Sequence, residues 1–195
     1  MLQYVTPETL TIEISLYLQK HKTKITMSTP PIKINDSLFC LANDWEKGEH
    51  RYYLELSKTE DPKNTILVVG VNPGGKTDPD EKHIGRTIRR VCDLVIGKGE
   101  DDTKYDSALF VNLTPKIAIT PSSLKNSDEP QALQKENIEV IRSQIQKRKN
   151  RISNVLFCFG NSFKYGKDNG LFTKVIDAIK EELPLPESKY WCLGI

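Results

Sequence analysis

The sequence predicts an α/β domain: a three-layer α/β/α sandwich around a mainly parallel four-stranded core sheet. Three observations carry this expectation. Ile66 to Val69 is a short apolar run without charges, the mark of a strand buried on both faces. Ile84, Ile88, Val91, Cys92 and Val95 then recur at helical spacing and stop at Gly97. The alternation of buried strand and amphipathic helix continues to the end of the sequence, which implies crossover connections and a sheet covered on both sides.

Taken in order, Thr6-Pro7-Glu8 has the form of a helix start: a capping hydroxyl, a proline in the first turn and an acid near the positive helix end. Leu10 to Leu18 fits both a helical and an alternating period, and the cap favours the helix. Thr29-Pro30-Pro31 breaks the chain, so residues 1–31 are expected to form an appendage and residues 32–195 the α/β domain. Ile32-Lys33-Ile34 and Tyr52 to Leu56 read as short strands around a polar turn that contains Gly48. Ala108 to Leu113 is a second buried strand, and Val155 to Phe159 a third. Ile138, Ile141 and Ile145 mark one intervening helix; Leu171, Val175, Ile176 and Ile179 mark the next. Tyr190 to Ile195 reads as the fourth strand.

Composition sets the outer limits. With 37% hydrophobic and 28% charged residues in a chain of 195, one well-buried core is expected. A formal net charge of +2 neither demands nor excludes a nucleic-acid partner. No apolar run reaches the roughly 18 residues of a membrane helix, and the amino terminus lacks a secretory pattern, so a cytoplasmic protein without a membrane partner is expected. Cys40, Cys92, Cys158 and Cys192 are widely spaced, without a C-x-x-C pair, and are expected to be buried free thiols. No cluster has metal-ligand spacing, so neither a metal nor a cofactor is expected.

In parallel sheets ligands gather at the carboxyl ends of the strands. Here those ends are Asn72-Pro73-Gly74, Asn112-Leu113-Thr114-Pro115 and Gly160-Asn161-Ser162. Amide side chains offer a donor and an acceptor to an uncharged polar ligand, and glycines admit it close to the backbone. The first end also matches the triphosphate-loop pattern, with Gly70 followed by Gly75-Lys76-Thr77. The context opposes that reading. Asp78, Pro79, Asp80 and Glu81 follow, placing acids and a residue without N–H where a phosphate-binding helix should begin. Pro73 removes a further amide, and no later strand ends in an aspartate for magnesium.

Several short pieces, in order and at sensible spacing from about Arg51 to Ile195, resemble the bacterial and phage family called domain of unknown function 1643. Arg51-Tyr52-Tyr53-Leu54 is similar to its opening arginine-tyrosine-x-leucine strand. Val71-Asn72-Pro73-Gly74 is similar to its leucine-asparagine-proline-serine loop, and Thr87-Ile88-Arg89-Arg90 to its threonine-isoleucine-arginine-arginine helix start. Val111-Asn112-Leu113 and Leu193-Gly194-Ile195 resemble two of its strand ends. Phe159-Gly160-Asn161 stands where the family usually has tryptophan-glycine, and Gly85-Arg86 where it has aspartate-proline. The pattern is in turn distantly similar to the uracil-DNA glycosylase superfamily. There a glycine-x-asparagine-proline-glycine loop, as in Gly70 to Gly74, follows the first core strand. In some members an asparagine in the place of Asn112 reads the base edge.

That resemblance implies a base- or nucleotide-recognising protein that cleaves an N-glycosidic bond, with DNA or a nucleotide as partner. Asn72 would be the catalytic residue; Gly70, Pro73, Gly74, Gly75, Asn112, Gly160 and Asn161 would contact the ligand. Arg86, Arg89 and Arg90 would bind phosphate, with Lys76 and Lys82 nearby. Each has a plainer alternative: asparagines that hold turns, and arginines on a solvated helix face. Glycosylases and the family carry a histidine-proline segment after the last strand. The sequence ends at Ile195, and His21, His50 and His83 do not match that position, so the domain is expected to lack this segment. The corresponding alternative is a non-catalytic nucleic-acid or nucleotide binding module that lost it.

Overall fold

A computed structural model describes residues 31–35, 38–46, 49–74, 82–97, 104–117, 131–159 and 170–193. Residues 1–30 of the expected appendage, and with them the expected first helix, lie outside the described residues. So do Gly75, Lys76, Gly160, Asn161, Gly194 and Ile195.

The elements in chain order are β1 (Ile32–Asn35), β2 (Leu38–Glu46), β3 (His50–Ser57), β4 (Thr65–Gly70), α1 (Arg86–Val95), β5 (Ser107–Asn112), α2 (Gln131–Arg148), β6 (Ile152–Phe157), α3 (Leu171–Glu182) and β7 (Tyr190–Cys192). A 3₁₀ turn, Glu187–Lys189, leads into β7. The strands form one seven-stranded sheet in the order β1-β2-β3-β5-β4-β6-β7.

The α/β class holds, but the sheet is larger than expected and mixed. Strands β5, β4, β6 and β7 run parallel to one another. β3 then adds antiparallel to β5, from Tyr53↔Val111 to Ser57↔Ser107, and β2 and β1 follow as an antiparallel meander. The physical reason lies in β3. Its residues alternate between two covered faces, so it is an interior strand and not part of a free-standing hairpin. β2 escaped the sequence reading because its pairing to β3 shifts register twice and its second half, Asn43 to Glu46, is mostly polar. Both irregularities erase the two-residue period by which a strand is read.

Alternation along the central strands divides the core in two. Leu67 and Val69 of β4 and Leu109 and Val111 of β5 face Ile141 and Ile145 of α2 and Val175 and Ile179 of α3. Ile66, Val68, Ala108 and Phe110 face Val91, Cys92 and Val95 of α1. Helices therefore cover both sides of the sheet. Each of these large side chains contributes about 1.5–3 kcal/mol through removal from water. Helix α1 ends as its sequence suggests: the Ile96 and Gly97 amides both donate to the Cys92 carbonyl, and Gly97 takes a left-handed φ of 81° that a side chain would oppose.

All four cysteines are free, but only Cys40 and Cys92 are buried; Cys158 is half-buried and Cys192 exposed. Cys192 is at the end of a three-residue strand at one margin of the described sheet, where little covers it. Burial pushes the Cys92 thiol up to about 12 and the Cys158 thiol to about 11. Among the described residues no helix is long and apolar enough to cross a membrane.

Candidate functional site

The carboxyl ends of β4 and β5 lie side by side, with Gly70 opposite Asn112 in register. Both residues fall on the side of the sheet that carries Ile66, Val68, Ala108 and Phe110, the α1 side. A Cβ on Gly70 would stand 2.7 Å from Asn112 Oδ1, closer than real Cβ atoms come to any such group. Gly70 is therefore what allows the Asn112 side chain to lie across the end of β4. Pairing continues past the strands, the Leu113 amide donating to the Gly70 carbonyl (3.0 Å) and the Thr114 amide to the Val71 carbonyl (3.1 Å).

Asn112 is 8% exposed, and among the described residues its side-chain amide has no hydrogen-bond partner. Its backbone, by contrast, is held firmly. Asn137 Nδ2, reaching from α2 on the other side of the sheet, donates to both the Asn112 carbonyl (3.0 Å) and the Leu113 carbonyl (3.2 Å). Asn137 is 1% exposed, and its Oδ1 is buried without a donor. An unpaired buried acceptor of this kind costs about 1–3 kcal/mol. The sequence carried a signal for this residue that the reading passed over. Asn137 and Gln144 interleave with Ile141 and Ile145 at helical spacing, so polar side chains occupy the core-facing stripe of α2.

The other expected site residues are distributed as follows. Asn72 is half-buried, and its Nδ2 donates to the Pro73 carbonyl at 3.1 Å, within its own turn. Pro73 is buried. Gly74 is exposed, and a Cβ there would meet nothing within 4 Å. Arg51, at the start of β3, lies beside this loop cluster: its amide donates to the Pro115 carbonyl at 2.8 Å, and the residue is only 2% exposed. Burial pulls its guanidinium down to about 10, with Cys40 acting in the opposite direction.

A second feature surrounds the start of α1. His83, Ile84, Gly85, Arg86 and Arg89 line an open cleft of about 660 Å³. Arg90 does not line it, nor do Asn72 and Asn112. Arg86, Arg89 and Arg90 are exposed and have no ion-pair partner among the described residues, and the first turn of α1 contains no acid. Lys82, just before the cleft, holds a left-handed φ of 57°, which is uncommon for a residue with a side chain. Among the described residues no group of three or more His, Cys, Asp or Glu could hold a metal ion.

Among the described residues, the arrangement thus offers an amide without a partner at the strand ends and guanidinium groups without an acid at a helix start. The first suits an uncharged polar edge, the second an anion.

The family model described as "Protein of unknown function (DUF1643)" matches residues 51–194. The match spans well over half of the 195 residues, and the chain belongs to this family. No curated protein and no solved structure matches the chain significantly.

Proposed function

We propose that this member of the DUF1643 family recognises a nucleobase, in DNA or in a nucleotide, at the carboxyl ends of β4 and β5 and cleaves the bond that joins it to its sugar. The observation that carries this reading is the Asn112 amide. It is nearly enclosed, lies against Gly70 and has no hydrogen-bond partner among the described residues. A side chain so held offers one donor and one acceptor in a fixed plane, which is what reading a base edge requires. In the reaction, water adds across the C1′–N bond: the hydroxyl goes to the sugar and a proton to the departing base. Donors beside that base stabilise its developing negative charge. The Asn72 loop is assigned to the same site; Gly75, Gly160 and Asn161, which the family resemblance adds to it, lie outside the described residues. The cleft bearing Arg86 and Arg89, with Arg90 beside it, supports a ligand that carries phosphate.

One observation favours a second reading, a binding module without turnover. Asn72, assigned to catalysis, directs its amide nitrogen to the Pro73 carbonyl, as a side chain that holds its own turn does.

Base release by mass spectrometry, from a panel of DNAs containing normal, uracil and modified bases, separates the two. Release that disappears in Asn112→Ala supports the hydrolase. Retention of a DNA without release, weakened by Asn112→Ala, supports the module. Neither release nor Asn112-dependent binding would refute both.

A further inference from the structure

We propose that Asn137 is a positioning residue that sets the direction of the Asn112 amide; the proposal rests on the base-recognition reading above. One nitrogen donates to two consecutive carbonyls, those of Asn112 and Leu113. Fixing both oxygens fixes the two peptide planes that follow the Asn112 α-carbon. The Leu113 amide, bonded to the Gly70 carbonyl, fixes the first of those planes from the β4 side. The Asn112 side chain makes no hydrogen bond of its own among the described residues, so its direction is set by its backbone and by the surface of Gly70.

Space filling alone does not account for Asn137. Its Oδ1 is buried and has no donor. A leucine has the same heavy-atom branching and would bury no unpaired oxygen, so filling the space does not by itself call for an amide. What the amide supplies and leucine does not is the two-carbonyl grip. Asn137 grips from the α2 side of the sheet, while the Asn112 amide faces the α1 side. The grip therefore works from the face opposite the Asn112 amide and does not occupy the amide's own side.

The test compares Asn137→Leu with Ile141→Val, which perturbs the next turn of α2 and touches neither carbonyl. The first readout needs no ligand: the side-chain amide NMR signals of Asn112 in the full chain. They are expected to shift and broaden in Asn137→Leu and to stay at wild-type positions in Ile141→Val. The second readout is single-turnover base release from whichever DNA the wild type processes. Asn137→Leu is expected to lower it roughly tenfold to a hundredfold, the scale of a misplaced reacting group, with Ile141→Val unchanged at equal folded fraction. Unmoved Asn112 signals in Asn137→Leu overturn the proposal. So does an undiminished rate in Asn137→Leu where the wild type releases base. If the wild type releases none, the hydrolase reading fails separately and the NMR comparison alone decides the role of Asn137.

Discussion

Near its carboxyl end, α2 brings Gln144 and Arg148 to a set of buried polar groups that complete one another; near its amino end it brings Asn137 to a set that do not. At the first, Glu55 is 1% exposed and accepts from Arg148 Nε (2.8 Å) and Arg151 Nη2 (2.6 Å). Arg148 also donates to Gln144 Oε1, while Thr65 and Ser107 pair with each other at the amino ends of β4 and β5. At the second, Asn137 Oδ1 is buried without a partner, and the nearly buried Asn112 amide makes no side-chain hydrogen bond among the described residues. The same helix spans the same sheet, so the difference is local. Completed networks hold a fold in one arrangement, whereas incomplete ones keep hydrogen-bonding capacity for something else.

Removing the carboxylate from the completed end should have the largest effect on stability. Glu55→Ala leaves two arginines facing a buried gap, and unfolding in urea should show a loss of about 3–5 kcal/mol. Base binding or release per folded molecule should not change. A loss under about 1 kcal/mol, the value of a solvated pair, would mean that this end is no more a scaffold than the other.

The incomplete end should respond in the opposite way. Gly70→Ala places a methyl group 2.7 Å from Asn112 Oδ1, and the flexible amide must swing aside. Its stability cost should stay within about 1–3 kcal/mol, while recognition should fall as far as in Asn112→Ala. Calorimetry on Asn112→Ala itself should show a change of no more than about 1 kcal/mol, since no side-chain hydrogen bond among the described residues is lost. Recognition by Gly70→Ala at the wild-type level would remove the Asn112 amide from the site.

One further expected effect concerns neither end and is confined to alkaline pH. Cys92, in the layer between α1 and the sheet, has its thiol raised from 9.0 to about 12 by burial. A raised folded-state value favours the neutral form, so the stability it contributes is complete below pH 9 and declines as pH rises toward 12. The thermal midpoint should therefore fall above pH 9, and Cys92→Val should reduce that slope. An identical slope in the variant would assign the alkaline loss to other groups.

The completed and incomplete ends were not equally legible in the sequence. The uncharged runs of β4 and β5 announce interior strands, and the isoleucines at 138, 141 and 145 announce α2 with the correct face. Asn112 follows from its place at a strand end. Pairing between distant residues is another matter. Nothing local to Glu55 marks Arg148 and Arg151 as its partners, 93 and 96 positions away. Nothing near Asn112 points to Asn137, 25 positions on. The grip on β5 was therefore missed, although the polar interruption of the α2 stripe was visible. The antiparallel strands were underread for a related reason: β2 keeps no regular period, and β3 has its apolar character broken by Arg51 and Glu55, both buried by tertiary partners and not by composition.

The position of β5 between β3 and β4 also governs how the protein emerges during synthesis. Ser57 pairs with Ser107, so the inner edge of β3 waits for about fifty further residues before its neighbour exists. At ribosomal rates that interval is roughly 3–10 s. For that time the β1–β3 meander presents an unpaired apolar edge beside a growing chain, an opening for chaperone capture or for pairing with another nascent copy. The described strands form one sheet, but β1, β2 and β3 are made before the strand that anchors them.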